Sequence, residues 1–190
     1  LFFSIDRLGD YLIRSNVIYS ISKYYRSSEI VCSNINQKLI SKQLFFDNVY
    51  LFDKSKKQYS KIKLICQFIF KKYDAVIAFD GKSISNILLF LIRANFKYVF
   101  VYKKYGFFNN IKNKIYLLLL RLFNIKYEIL FSKKIIELVK KDHYPSKYKS
   151  LKKYYSNINT DTYYIENFEY NKAIAINQKF ILIHLDEKFN

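Results

Sequence analysis

The sequence predicts an α/β domain of the Rossmann-like type, in which helices cover both faces of a parallel sheet. Short, nearly continuous apolar runs alternate along the chain with segments whose apolar residues recur at helical spacing. Such continuous runs are typical of strands that are buried on both faces of a parallel sheet. The 190 residues are 51% apolar and 25% charged, which provides enough apolar surface for one sizeable core and excludes a disordered or collagen-like chain.

Each predicted strand is an apolar run that ends at a polar turn. Five such runs are residues 1–5, 29–32, 48–52, 74–79 and 97–102. Helical spacing predicts helices at residues 12–21, 36–42, 59–70, 84–92, 111–123 and 132–142. Residues 143–155 form a polar stretch rich in Lys and Tyr, and a last apolar run at 179–185 predicts the opening of a second sheet. We therefore place a first domain at residues 1–175 and the truncated start of a second at 176–190.

The balance of basic and acidic residues indicates which classes of partner the protein could bind. Lys and Arg number 33 against 15 Asp and Glu, a formal charge of +18, but only five of these cations are Arg. Sites that recognise nucleic-acid sequence depend on the bidentate Arg fork, so we expect no nucleic acid partner. A Lys-rich surface suits peripheral contact with an anionic membrane, where each cation near the surface contributes about 1 kcal/mol. A solvated basic surface without any partner is the simpler interpretation.

Cysteine and histidine positions argue against a structural metal site or a disulfide. Cys32 and Cys66 stand far apart with no CxxC pair, and neither His143 nor His184 has ligand spacing to them. We expect two buried free thiols in a reducing, cytoplasmic compartment. The longest uncharged apolar stretches are far shorter than the ~20 residues of a membrane span.

Two polar turns follow predicted strands and are candidate sites, since ligands of open parallel sheets bind beyond the carboxyl ends of the strands. One turn is Asp6 to Asp10, and the other is Asp80 to Ser83. For both Asp10 and Asp80 the structural alternative is a helix N-cap, because Asp satisfies the first backbone N–H groups of a helix. Neither turn is a GxGxxG fingerprint or a Walker loop.

In this order, the motifs resemble the heptosyltransferase-like glycosyltransferases, glycosyltransferase family 9, which add heptose to lipopolysaccharide cores. The opening strand and turn, IDRLGDYLI at residues 5–13, are similar to the first motif of that family. KYDAVIAFDG at residues 72–81 is similar to the second motif, with Ala78 where the family usually has Asp. ILIH at 181–184 and KF at 188–189 are similar to the start of the second domain, with a shorter loop between them.

The resemblance implies a GT-B architecture, two Rossmann-like domains that face each other across a cleft. It implies inverting, metal-independent transfer of a heptose-like sugar from a nucleotide-sugar such as ADP-heptose, with no other cofactor, to a lipopolysaccharide or related glycolipid acceptor at the cytoplasmic face of the inner membrane. Asp10 would be the general base. The acceptor side would be lined by Arg7, Gly9, Asp80, Gly81 and Ser83, and the donor phosphates would be bound by His184 and Lys188.

Three alternatives stay open on the residues alone. The chain could be a non-catalytic basic α/β module that binds nucleic acid or an anionic membrane, or a GT-B enzyme that uses another donor. For His184 taken alone, a half-buried, hydrogen-bonded structural histidine at the end of a strand is the default interpretation.

Overall fold

Six parallel strands form one sheet at the centre of the protein. The structure, a computed structural model, describes residues 1–103, 107–131 and 144–158. The strands are β1 (Phe2–Ser4), β2 (Glu29–Ser33), β3 (Asn48–Phe52), β4 (Lys72–Ala78), β5 (Arg93–Lys103) and β6 (Lys126–Phe131). Their order is β3-β2-β1-β4-β5-β6, and every neighbouring pair is parallel. The predicted α/β fold class is confirmed, while the predicted second domain, residues 176–190, lies outside the described residues.

Helices cross between the strands and cover both faces of the sheet. They are α1 (Leu8–Ser22), α2 (Asn34–Ile40), α3 (Lys57–Phe68), α4 (Ser83–Leu91) and α5 (Phe107–Leu122). A 3₁₀ segment spans Tyr144–Lys153. One apolar core joins α1, α2 and this segment to the sheet, and a second joins α3, α4 and α5 to the opposite face. No described helix is both long enough and apolar enough to span a bilayer.

β1 lies in the middle of the sheet and is buried along its whole length. Phe2 pairs with Ile30 of β2 and with Ile77 of β4, and the Phe79 N–H donates to the Phe3 carbonyl at 3.1 Å. The chain leaves β1 towards β2 on one side and leaves β4 towards β5 on the other. The carboxyl ends of β1 and β4 are therefore the point at which the strand order reverses, where a crevice forms in sheets of this order.

The 3₁₀ segment and the residues after it close the core over β4 and β5. The Tyr148 ring is edge-on to Phe79 and to Phe100, with centroids 5.5 and 5.0 Å apart. Leu151 and Tyr155 follow at spacings of three and four residues, and both are buried. The stretch predicted to be polar is therefore amphipathic. Tyr148, Leu151 and Tyr155 face the core, whereas Lys149, Lys152 and Lys153 are exposed.

The structure adds one strand and lengthens another. β6 was not predicted, because Lys126 and Glu128 interrupt its apolar residues, as is typical of a strand at a sheet edge. β5 begins four residues before the predicted start. Cys32 is buried but Cys66 is exposed on α3, so the expectation of two buried thiols is wrong for Cys66. The predicted helix 132–142 and strand 179–185 lie outside the described residues.

We expect Tyr148→Ala to lower the free energy of unfolding by about 3 to 5 kcal/mol, the usual cost of truncating a buried aromatic side chain. Lys149→Ala changes an exposed neighbour and serves as the control. Urea unfolding followed by circular dichroism measures both. Equal stabilities of the two variants would show that residues 144–158 are not part of the core.

Candidate functional site

The two polar turns singled out in the sequence lie side by side at the switch point. The backbone N–H of Ile5, at the end of β1, donates to Asp80 Oδ2 at 2.8 Å. Because Asp80 follows β4, this bond ties together the carboxyl ends of the two central strands. The chain's Asp6 to Asp10 and Asp80 to Ser83 turns therefore border one edge of the sheet.

Asp80 is buried, and both of its carboxylate oxygens are occupied. Besides the Ile5 N–H, it accepts hydrogen bonds from the Lys82 N–H at 3.0 Å and from Ser85 Oγ at 2.9 Å. Burial raises the pKa of Asp80, and the nearby charge of Asp6 raises it further, against these three hydrogen bonds. The structure thus gives Asp80 a positioning role in the turn. Direct contact with an acceptor stays a prediction for this residue.

Asp6 and Arg14 form a buried ion pair that sequence reasoning missed. Arg14 Nη1 and Nη2 lie 3.2 and 2.8 Å from the two oxygens of the Asp6 carboxylate, and Arg14 is only 1% exposed. The guanidinium carbon of Arg14 lies 5.9 Å from the centre of the Phe79 ring. The signal was present in the sequence: Tyr11, Arg14 and Ile18 have the spacing of one helix face. An Arg on an inward face needs a carboxylate partner, and Asp6 precedes the same helix.

The backbone carbonyl of Asp6 also has hydrogen-bond partners. Its carbonyl accepts hydrogen bonds from Ser33 Oγ at 3.1 Å and from Asn36 Nδ2 at 3.0 Å. Ser33 ends β2 and Asn36 lies in the first turn of α2. These bonds join the turn after β1 to the turn after β2, so three neighbouring strand ends form one rigid edge.

Asp10 differs from both of these carboxylates. Helix α1 begins at Leu8 with Arg7 as its N-cap residue, so Asp10 lies inside the first turn and the N-cap interpretation is wrong for it. Its side chain is partly exposed. Within the part of the chain that the structure describes, its carboxylate takes part in no hydrogen bond or ion pair. A carboxylate placed in this way can accept a proton from a bound hydroxyl group.

The remaining predicted acceptor residues border the same edge. Arg7 is exposed, Gly9 is partly exposed, and Ser83 is exposed at the first residue of α4. Gly81 has a φ of 59°, a left-handed conformation that glycine adopts without a steric penalty. Neither Arg7 nor Lys82, the N-cap residues of α1 and α4, caps its helix with a side-chain hydrogen bond. His184 and Lys188 lie outside the described residues.

A second polar cluster lies at the opposite edge of the sheet, beside a cavity of about 360 Å³. Glu29 accepts hydrogen bonds there from Tyr73, Asn48 and Lys71. Burial acts to raise the pKa of Glu29, but these three partners together outweigh it and the net shift is downward. The cluster satisfies its own polar groups and lies at the amino ends of the strands, away from the edge where parallel sheets bind ligands.

Comparison of the chain with protein-family models, with curated proteins and with solved structures finds no match.

We expect Arg14→Met to lower the free energy of unfolding by about 3 to 5 kcal/mol, because it leaves the Asp6 carboxylate buried without its partner. The double variant Asp6→Leu/Arg14→Met removes both charges and should recover most of that loss. Urea unfolding of the two variants and of the exposed control Arg26→Met measures the effect. A double variant as unstable as Arg14→Met alone would contradict the assignment of the loss to an unpaired charge.

The raised pKa of Asp80 predicts a pH dependence of stability. A carboxyl group whose pKa is higher in the folded than in the unfolded protein binds its proton more tightly when folded. Its contribution to stability is therefore present at low pH and is lost as the pH rises through the folded pKa. Asp80→Asn does not titrate, so the stability advantage of the native protein over this variant should shrink as the pH rises from about 4, the ordinary pKa of an Asp carboxyl group. Urea unfolding of both proteins across this range tests the sign, and an advantage that grows with pH would contradict it.

Proposed function

We propose that this chain is the acceptor-binding part of an inverting glycosyltransferase of GT-B architecture, in which Asp10 is the general base. The donor is a nucleotide-sugar of the ADP-heptose type, and the acceptor is a lipopolysaccharide core or related anionic glycolipid at the cytoplasmic face of the membrane. The proposal combines the sequence resemblance with one structural observation, the state of the Asp10 carboxylate.

That observation distinguishes three carboxylates at one edge. Asp6 is paired with Arg14, and Asp80 accepts three hydrogen bonds. Asp10 alone of these three is partly exposed and uncommitted among the described residues. A buried, fully bonded carboxylate cannot reach an incoming hydroxyl group, whereas a partly exposed one at the switch point can. The availability of Asp10 among the described residues therefore supports the base role that the resemblance implies.

The reaction is a single displacement. The acceptor hydroxyl gives its proton to a carboxylate oxygen of Asp10 while its oxygen forms a bond to the anomeric carbon of the donor sugar. The bond between that carbon and the diphosphate oxygen breaks, and the nucleoside diphosphate leaves with the electron pair. Attack opposite the leaving group inverts the configuration at the anomeric carbon. His184 and Lys188, by resemblance, would bind the diphosphate.

The electrostatics of the edge suit an anionic acceptor. The N-termini of α1 and α4 meet this edge, and neither N-cap residue caps its helix with a side-chain hydrogen bond. Helix N-termini carry a partial positive charge and backbone N–H groups that bind phosphate oxygens. Lys82 adds a formal charge beside them. A phosphorylated glycolipid would therefore be stabilised where its hydroxyl group reaches Asp10.

We expect Asp10→Asn to reduce sugar transfer by about 100-fold to 10,000-fold, the usual contribution of a general base. Asp10→Glu should retain part of the activity, because it keeps a carboxylate within reach. The matched control is Asp74→Asn, an exposed carboxylate near the amino end of β4, which should transfer sugar as the native protein does. Release of nucleoside diphosphate by protein expressed from its complete reading frame measures the rate.

Unfolding by urea separates the catalytic effect from misfolding, because Asp10→Asn removes no hydrogen bond that the structure describes. Full transfer activity in a folded Asp10→Asn protein would overturn the base assignment. A native protein that transfers no sugar but binds polynucleotide with a steep salt dependence would favour the non-catalytic basic module instead.

A further inference from the structure

Helix α5 carries a second apolar stripe whose residues are exposed in the described part of the chain. Its inward side packs on the sheet through residues such as Leu120, which is fully buried. On the opposite side, Ile115, Leu118 and Leu122 are 55%, 57% and 71% exposed. With Leu119 they have spacings of three, four and seven residues, which places them on one face of a helix. A helix that packs on a sheet needs one apolar face, so the second face is not explained by the core.

The apolar surface continues onto the neighbouring helix. The Phe90 ring of α4 lies 5.2 Å from the Phe123 ring and 6.2 Å from the Tyr116 ring. Leu91 and Ile87, within one turn of Phe90, are exposed, as is Phe123. We call this surface the α4–α5 patch; its members are Ile87, Leu91, Ile115, Leu118, Leu119, Leu122 and Phe123. Contiguous exposed apolar surface of this kind marks an interaction site.

Positive charges border the stripe on both sides. At about 100° per residue, Lys114 and Arg121 fall along one edge of the stripe and Lys112 along the other. All three side chains are exposed. The sequences of α3, α4 and α5 contain no Asp or Glu, and α3 adds Lys57, Lys61 and Lys63 to the same layer of helices. The whole helical layer on this face of the sheet is therefore apolar and cationic.

The combination of apolar and cationic residues indicates which kind of partner binds the α4–α5 patch. Leu, Ile and Phe in the centre with Lys and Arg at the margins is the composition of helices that lie in the plane of a membrane interface. The long cationic side chains can extend to the headgroups while their methylene stems stay with the apolar stripe. A second copy of this chain would instead bring the same cations towards one another, which the charge pattern disfavours.

We propose that the α4–α5 patch docks on the surface of an anionic phospholipid bilayer. The apolar side chains enter the boundary between headgroups and acyl chains, and Lys112, Lys114 and Arg121 pair with lipid phosphates. The proposal rests on α4 and α5 and is independent of Asp10. For the proposed transfer reaction, it identifies the surface through which the protein would contact a membrane that contains the glycolipid acceptor.

The test is co-sedimentation of the full chain with vesicles of phosphatidylcholine alone and with vesicles that contain about one third phosphatidylglycerol. The native protein should bind the anionic vesicles and bind the neutral ones at least about tenfold more weakly. Leu118→Gln/Leu122→Gln removes apolar surface without a change of charge and should weaken binding to anionic vesicles about tenfold or more. The matched control Ile35→Gln/Leu44→Gln alters two exposed aliphatic residues outside the patch and should bind as the native protein does.

A variant that removes positive charge tests whether the cations beside the α4–α5 patch contribute to binding. Lys112→Gln/Lys114→Gln/Arg121→Gln should lose on the order of 100-fold in affinity for anionic vesicles, from about 1 kcal/mol per cation. The control Lys38→Gln/Lys42→Gln/Lys152→Gln removes three exposed cations outside the patch and carries the same net charge.

Three results would overturn the proposal. One is equal vesicle binding by the patch variants and their controls. Another is a native dimer in analytical ultracentrifugation that Leu118→Gln/Leu122→Gln converts to a monomer, which would assign the patch to a second copy. The third is a large fall in unfolding free energy for that variant with unchanged vesicle binding, which would show that protein covers the patch. Vesicle binding is measured without a nucleotide-sugar, so its failure is distinct from a failure of the transfer reaction.

Discussion

The carboxyl end of β1 holds the centre of this protein together through the Asp6–Arg14 ion pair and the hydrogen bonds around it. The side chain of Asp6 anchors α1 through Arg14, and its carbonyl anchors β2 and α2 through Ser33 and Asn36. One residue earlier, the Ile5 N–H reaches Asp80 beyond β4. Charges buried in this way stabilise a fold only when every partner is in place, so these contacts define one geometry for the edge of the sheet.

That constraint also affects the third carboxylate at this edge, Asp10. Asp6 and Asp80 lie close enough for the charge of Asp6 to raise the pKa of Asp80, and both are buried and bonded. They make the edge rigid and leave little freedom to the turn that follows β1. Asp10 lies on the first turn of α1, a helix fixed by Arg14, so its carboxylate has a defined position although no partner for it occurs among the described residues. A general base needs both properties, a fixed position and an unoccupied lone pair.

The two helical layers differ in how far they are covered. On one face, residues 144–158 pack on the sheet beside α1, where the Tyr155 ring lies 5.2 Å from the Tyr24 ring and its hydroxyl bonds that of Tyr25 at 2.7 Å. Nearly every turn of α1 is therefore buried. On the other face, Leu120 of α5 is buried against the sheet, whereas Ile115, Leu118 and Leu122 are exposed. Helix α5 ends as a Schellman motif, with Asn124 at a φ of 51° and the Ile125 N–H bonded to the Leu120 carbonyl at 2.8 Å. This ending returns the chain into β6 and keeps the outer stripe intact up to Leu122.

Local pattern was sufficient for the strands of the inner sheet. β1, β2 and β4 were predicted within two residues at each end, because the part of a strand that is buried on both faces is apolar at nearly every position. β3 was predicted with its observed bounds although it lies at an edge of the described sheet, because its central residues are apolar. β6 escaped prediction, because an edge strand tolerates Lys126 and Glu128. The first motif predicted that Asp10 lies at the start of α1. The motif could not show whether the Asp10 carboxylate caps the helix or is without a hydrogen-bond partner among the described residues.

The sequence by itself determined the alternation of strands and helices, and hence a parallel sheet, since the period of apolar residues depends only on neighbours along the chain. Tertiary structure alone decided which distant polar groups meet: the Asp6 carbonyl with Asn36 of α2, and the Ile5 N–H with Asp80 seventy-five residues on. It also decided that residues 144–158 pack against the sheet and α1, whereas Ile115, Leu118 and Leu122 of α5 stay exposed. The physical reason is that burial and charge pairing depend on distances through space, which the order of strands sets and which no local pattern records.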